Sequence, residues 1–166
     1  MLPDFLAMTR RGDKTGGNMR SPQGFTLIEC VIAIAIISIV IAIAIPSFQK
    51  YAINGNLKAA ARDIISDFSS LKGRAIAENT TFSITFNVAN NNYLVQQGGV
   101  TIKTKTPAYF ARDIRITGVT FPGSTITFQT RGTASAGSLN LINSRNSTAA
   151  ITTNITGRAN VQFNMQ

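Results

Sequence analysis

Histidine is absent from the 166 residues, and cysteine occurs once, at Cys30. Without an imidazole the chain has no His-based general base and none of the usual zinc constellations. A lone cysteine cannot form a disulfide within the chain, and inside an apolar run it packs as a small hydrophobe. Acidic residues are scarce too, seven against sixteen Lys and Arg, for a net charge of +9. Past Gly24 only Glu29, Asp63, Asp67, Glu78 and Asp113 remain. The pairs Gly16-Gly17 and Gly98-Gly99 lack the spacing of a phosphate-cradling loop. These absences argue against an enzyme, and they imply no metal and no cofactor.

What is present is concentrated in Gly24-Phe25-Thr26-Leu27-Ile28-Glu29 and the apolar run that continues to Ile45. The 21 residues Phe25–Ile45 carry one charged side chain, Glu29. About 20 apolar residues is the length at which a helix crosses a hydrocarbon core of roughly 30 Å. A carboxylate costs on the order of 3 kcal/mol at mid-membrane and less near the interface, so Glu29 marks a functional position. The plainer alternative is a carboxylate snorkelling to the headgroups at a helix start, where the macrodipole favours it. Residues 1–24 are polar and basic, and no small-x-small cleavage site follows Ile45, so the run reads as a retained anchor. Arg10, Arg11, Lys14 and Arg20 favour a cytoplasmic N-terminus; Lys50, Lys58 and Arg62 beyond the run leave the opposite orientation open. Residues 25–166 keep 12 basic and 5 acidic side chains, a net of +7. That balance suits headgroups, nucleic acid or an acidic neighbouring subunit, and equally a basic surface with no dedicated partner.

Pro46 lacks an N–H and its ring clashes with the carbonyl four residues back, which predicts a kink. Beyond it Leu57, Ala61, Ile64, Phe68, Leu71 and Ala75 recur at three-and-four spacing, the signature of one buried helical face. Asn54-Gly55-Asn56 is a weak point in that pattern. The spacing predicts a nearly continuous helix from about Phe25 to Glu78. After Asn79 the period drops to two: Phe82, Ile84, Phe86 and Val88 alternate with polar residues. Further strands are predicted at Tyr93–Gln97, Val100–Lys105, Ile114–Phe121, Thr125–Gln129, Ser138–Ile142, Ala149–Thr153 and Ala159–Phe163, separated by Gly- and Asn-rich turns. One long helix followed by short strands makes an α+β domain, with the helix covering one face of an antiparallel sheet.

The stretch Gly24–Glu29, its apolar run and Pro46 resemble the N-terminal motif of type IV pilins and type II secretion pseudopilins. The resemblance implies cleavage between Gly24 and Phe25 by a prepilin peptidase, N-methylation of the new Phe25 amine, and pairing of Glu29 with the Phe25 amine of a neighbouring subunit. Such pairing offsets part of the desolvation cost of both charges. Lys72–Asn79, Phe121-Pro122-Gly123, Ile126–Gly132 and Gly157-Arg158 resemble the GspH/FimT group of minor pseudopilins and minor pilins. The implied fold is pilin-like: a long N-terminal helix, transmembrane in its first half, packed on an antiparallel β domain. The implied organisation is a leader over 1–24 (Met19 gives an alternative start), a membrane segment over 25–46, an amphipathic segment over 47–79 and a periplasmic β domain over 80–166.

The resemblance further implies a single-pass protein of the bacterial inner membrane, partnered by other pilin or pseudopilin subunits, the prepilin peptidase and methylase, and membrane lipid. Its implied function is that of a minor pseudopilin in a short periplasmic filament driving protein export by type II secretion. The alternative is a minor pilin of a type IV pilus, in assembly or DNA uptake. Some minor pilins of the group take up DNA through a C-terminal Gly-Arg-x-Arg element. Here Gly157-Arg158-Ala159-Asn160 lacks the second arginine, which weakens the electrostatic case. Arg131, Arg145 and Arg158, with Lys103 and Lys105, remain the candidate anionic contact if the fold gathers them, although no aromatic residues are interleaved for base stacking.

Overall fold

A computed structural model describes residues 24–166. Residues 1–23 of the expected leader, with the alternative start at Met19, lie outside the described residues. A single α-helix, α1, runs over Leu27–Ala77 and contains Pro46. It continues through the proline and through Asn54-Gly55-Asn56, so neither ends it. Contacts divide the chain into two units, one reaching to Val40 and one spanning Ile41–Gln166. In the first unit the described part of α1 exposes its large apolar side chains, among them Ile28, Ile34, Ile37 and Ile39. This helix is long and apolar enough to cross a membrane.

In the second unit the three-and-four stripe is buried as predicted: Leu57, Ala61, Ile64, Phe68, Leu71 and Ala75, joined by Ala60. The stripe is covered by strands whose period-two pattern turns alternate side chains inward. Strand β1 (Phe82–Asn87) buries Phe82, Ile84 and Phe86. It pairs antiparallel with β2 (Asn92–Gln97) on one side and with β5 (Thr125–Phe128) on the other. With β3 (Val100–Lys105) they form a four-stranded sheet in the order β3-β2-β1-β5. The second sheet has the order β4-β6-β7-β8, from β4 (Arg115–Val119), β6 (Gly137–Ile142), β7 (Thr148–Thr153) and β8 (Ala159–Asn164).

Two antiparallel sheets replace the single sheet expected from the sequence. Alternation identifies strands but not their partners. Here β4 joins β6, while β5 returns to the far side of β1, forty residues back in the chain. The segment expected to be one strand over Ile114–Phe121 ends at Val119; buried Phe121 caps a short 3-10 turn at Pro122–Ser124. Asn91 ties the two sheets together. In the left-handed region at φ 50°, its side chain donates to the Ile114 carbonyl (2.8 Å) and accepts from the Ile116 N–H (2.9 Å).

Phe68 is the centre of the core. Its ring lies 6.4 Å from Phe86, 6.4 Å from Phe121 and 5.8 Å from Phe128, in tilted and edge-on arrangements that suit aromatic quadrupoles. Gly137 sits against the same cluster: an added Cβ would lie 2.5 Å from the Phe121 ring. Gly137→Ala should therefore lose about 1–3 kcal/mol of stability, the usual cost of overpacking. Thermal denaturation of the detergent-solubilised protein checks this, and an unchanged Tm would contradict it.

Candidate assembly site and charged clusters

The helix start is built by a reciprocal cap. The Thr26 N–H and hydroxyl both donate to Glu29 Oε2, each at 2.9 Å, and the Glu29 N–H donates to Thr26 Oγ1 at 3.3 Å. Thr26 and Glu29 thus form a capping box, which satisfies backbone donors that an α-helix otherwise leaves unpaired. The first helical bond follows, from the Cys30 N–H to the Thr26 carbonyl at 3.2 Å. An open depression of about 480 Å³ lies over Gly24, Phe25, Thr26 and Glu29. Phe25 and Glu29 are exposed on it.

The basic residues do not gather as the sequence allowed. Arg145 lies in the turn between β6 and β7, and Arg158 in the turn between β7 and β8, so the whole of β7 separates them. Six strand residues at ~3.3 Å each put about 20 Å between those turns. Arg145 is half-buried, with its Nε buried and unbonded among the described residues. Arg131 and Arg158 share one end of the domain, beside Lys72 of α1. A Cβ on Gly132 would lie 3.6 Å from the Lys72 side chain and one on Gly157 3.0 Å from it. Lys72 Nζ donates to the Thr156 carbonyl at 2.7 Å. Gly157, at φ +69°, is in a region that favours glycine, and an added Cβ there would also sit tightly against Lys72 and the Gly132 carbonyl. Lys103 and Lys105 belong to the other sheet, on β3. The five-cation patch is therefore not formed.

Lys105 is instead committed to α1. Its ammonium lies 2.6 Å from Asp63 Oδ2 and 2.7 Å from Asp67 Oδ2, while the Tyr93 hydroxyl donates to Asp67 Oδ2 at 2.9 Å. Burial works to lower the Lys105 pKa, but the hydrogen bonds and charges of the two aspartates outweigh it and the net shift is upward. Burial first, then the Asp67 and Asp63 charges, push the Tyr93 phenol upward as well. Asp63 and Asp67 are four apart, so both reach one side of the helix beside the apolar stripe. Their spacing is the only hint of this cluster in the sequence; the Thr26-x-x-Glu29 pattern, by contrast, announces its cap directly.

Comparison with known proteins decides what this arrangement belongs to. Residues 60–157 match the family described as type II transport protein GspH. The chain belongs to that family. Residues 19–45 match the prokaryotic N-terminal methylation motif, which implies processing by a prepilin peptidase. The fimbrial protein EcpC of Eikenella corrodens is 34% identical over 122 residues, 70% of this chain and 78% of the relative. A fimbrial protein of Pseudomonas aeruginosa is 36% identical over 78 residues, 41% of this chain and 51% of that protein. In fold, the chain resembles the minor pseudopilin EpsH from the type 2 secretion system of Vibrio cholerae. The TM-score is 0.50 at 12% identity, over 64% of this chain and 96% of that one. It also resembles the type IV minor pilin FimU of Pseudomonas aeruginosa, with a TM-score of 0.51 at 11% identity, over 66% and 90% respectively. This GspH-family chain thus carries the pilin-like fold of both structures, one long helix packed on antiparallel sheets.

The turn that carries Arg145 is held by Asp113, which accepts from the Ser144 hydroxyl (2.7 Å) and N–H (3.0 Å). These bonds hold the Asp113 carboxyl below the usual carboxylate range. A depressed folded pKa means that the contribution is in place above about pH 4 and is lost as pH falls through the lower folded value. Asp113→Asn should accordingly flatten the acid limb of the stability–pH curve below about pH 4 while leaving its neutral-to-alkaline shape unchanged. Urea midpoints measured across that range provide the check.

Proposed function

We propose that the chain is a minor pseudopilin of a type II secretion filament, anchored by its apolar helix and processed between Gly24 and Phe25. The match of residues 60–157 to the GspH family carries this reading. Cleavage would free the Phe25 amine, and methylation would follow on that nitrogen. Glu29 would then receive the Phe25 ammonium of the neighbouring subunit. Both capping bonds converge on Oε2, so Oε1 offers the incoming amine an acceptor without dismantling the box. In a bilayer an unpaired carboxylate and an unpaired ammonium are each costly, and joining them between subunits ties leaving the lipid to entering the filament. The apolar run from Phe25 to Ile45 would supply the filament core, and the two-sheet domain the periplasmic contacts with partners.

A second reading, a minor pilin of a type IV pilus, is favoured by the likeness to the fimbrial protein EcpC. In-frame deletion in the native host separates the two. Loss of folded-exoprotein export with twitching and transformation intact fits the secretion filament, and the opposite pattern fits the pilus.

Processing and assembly are separable by mutation. Gly24→Ala should leave an uncleaved precursor near 17.8 kDa in the membrane fraction. Glu29→Val should be cleaved normally yet crosslink at least tenfold less to neighbouring pilin subunits in the cell envelope, since the charge partner of Phe25 is gone. Immunoblots of membrane fractions before and after crosslinking read both outcomes; wild-type crosslinking of the Glu29 variant would remove that residue from the assembly step.

A further inference from the structure

Just beyond the apolar run, Ser47, Lys50, Tyr51, Asn54, Gly55 and Lys58 line one face of α1, at intervals of three and four residues. With Met165 and Gln166 they enclose a pocket of about 420 Å³, a size ordinary for small-ligand sites. We propose that this pocket seats the headgroup of an anionic phospholipid, with Lys50 binding its phosphate and Lys58, eight residues on, adding attraction from the far wall. The proposal rests on the membrane anchoring put forward above, and on nothing in the filament assignment.

Charge is the first support. The lining carries two lysines and no acidic side chain, and neither lysine is ion-paired among the described residues. The polar groups at the back of the pocket are already spent on one another. Asn54 Oδ1 accepts from Ser147 Oγ (2.8 Å) and Asn143 Nδ2 (3.0 Å), and Asn54 Nδ2 donates to the Gln166 carbonyl (3.2 Å). Ser147 Oγ in turn accepts the Gln166 N–H at 2.9 Å. That network fixes the wall formed by the last strand's extension, leaving the lysines to meet a ligand.

Gly55 is the second support. Glycine is the costliest ordinary residue in a helix interior apart from proline. No packing demands it at position 55, because an added Cβ would meet nothing within 4 Å. The missing side chain keeps the pocket open. Depth is the third. Lys50 lies five residues past Ile45, roughly 8 Å along the helix axis, which is the level of the headgroup layer outside a ~30 Å hydrocarbon core. Exposed Phe48 and Tyr51 flank it on the same turns, as aromatic side chains do at a membrane interface. Lys58 lies thirteen residues past Ile45, roughly 20 Å along the axis, on the far wall of the pocket.

The test uses full-length protein in nanodiscs of equimolar phosphatidylglycerol and phosphatidylcholine, with retained lipid counted by native mass spectrometry after detergent release. Co-elution with the nanodisc reports anchoring separately, so its failure is distinguishable from failure of the site. Wild type should retain phosphatidylglycerol in preference to phosphatidylcholine. K50Q should lose about fivefold of that enrichment, and K58Q should lose less. Gly55→Leu should abolish retention while Tm holds or rises, because leucine fills the pocket and favours helix. K103Q, a charge change elsewhere on the domain, should behave as wild type. Equal retention of both lipids, unchanged enrichment in Gly55→Leu, or an equal fall in K103Q would overturn the proposal. Displacement of the lipid by excess inorganic phosphate would also overturn it, by making the site one for a free anion.

Discussion

One aromatic side chain on α1, Phe68, sets the terms for the rest of the unit that spans Ile41–Gln166. It is buried on the helix and surrounded by rings from three separate segments, Phe86, Phe121 and Phe128. Because protein interiors are close-packed, fixing Phe68 fixes the positions of β1, β5 and the turn after β4 against the helix. Gly137 has no side chain because Phe121 occupies the space, and the short 3-10 turn at Pro122–Ser124 keeps Phe121 there. Burying a side chain of this size contributes about 1.5–3 kcal/mol, and each ring neighbour adds an edge-on or tilted contact of about 0.5–1.5 kcal/mol.

The same helix answers to two solvents. Up to Ile45 its apolar side chains surround it on every side, as a helix in hydrocarbon or in a helical filament core requires. From Leu57 the apolar residues narrow to one stripe, and the opposite side carries Arg62, Ser66, Ser69 and Ser70, which are exposed. Between the two regimes lie Pro46 and Gly55, the two residue types a helix interior accommodates worst. That is where the proposed processing and anchoring chemistry gives way to a folded domain, and where the pocket opens.

The helix and strands were legible because each follows a period the chain repeats several times. All six residues assigned to the helical stripe are buried, and eight strands form within a few residues of their expected ends. Partner choice was not legible. The return of β5 to β1 depends on contacts forty residues apart, which alternation does not encode. Single polar residues were equally silent: Asn91 joins the two sheets and Asn54 holds Asn143, Ser147 and Gln166, yet both look like solvent-facing asparagines in a turn or a weak helix. At the N-terminus the signal was explicit, since Thr26 and Glu29 stand at capping-box spacing. The candidate anionic contact depended on the fold gathering its residues, and that was not legible: the whole of β7 lies between the turns that carry Arg145 and Arg158.

β3 is the outer strand of its sheet, and its free edge exposes Val100 and Ile102. An edge of that kind is a template on which a strand from another chain can add, the route by which sheet proteins aggregate. Lys105, directly opposite Tyr93 in the register, is drawn inward by Asp63 and Asp67. The ladder also slips between Val95 and Gln96. A charged, inward-turned residue and a bulge are both obstacles to an added strand. The exposed sheet edge is thereby kept from becoming an unregulated template for polymerisation.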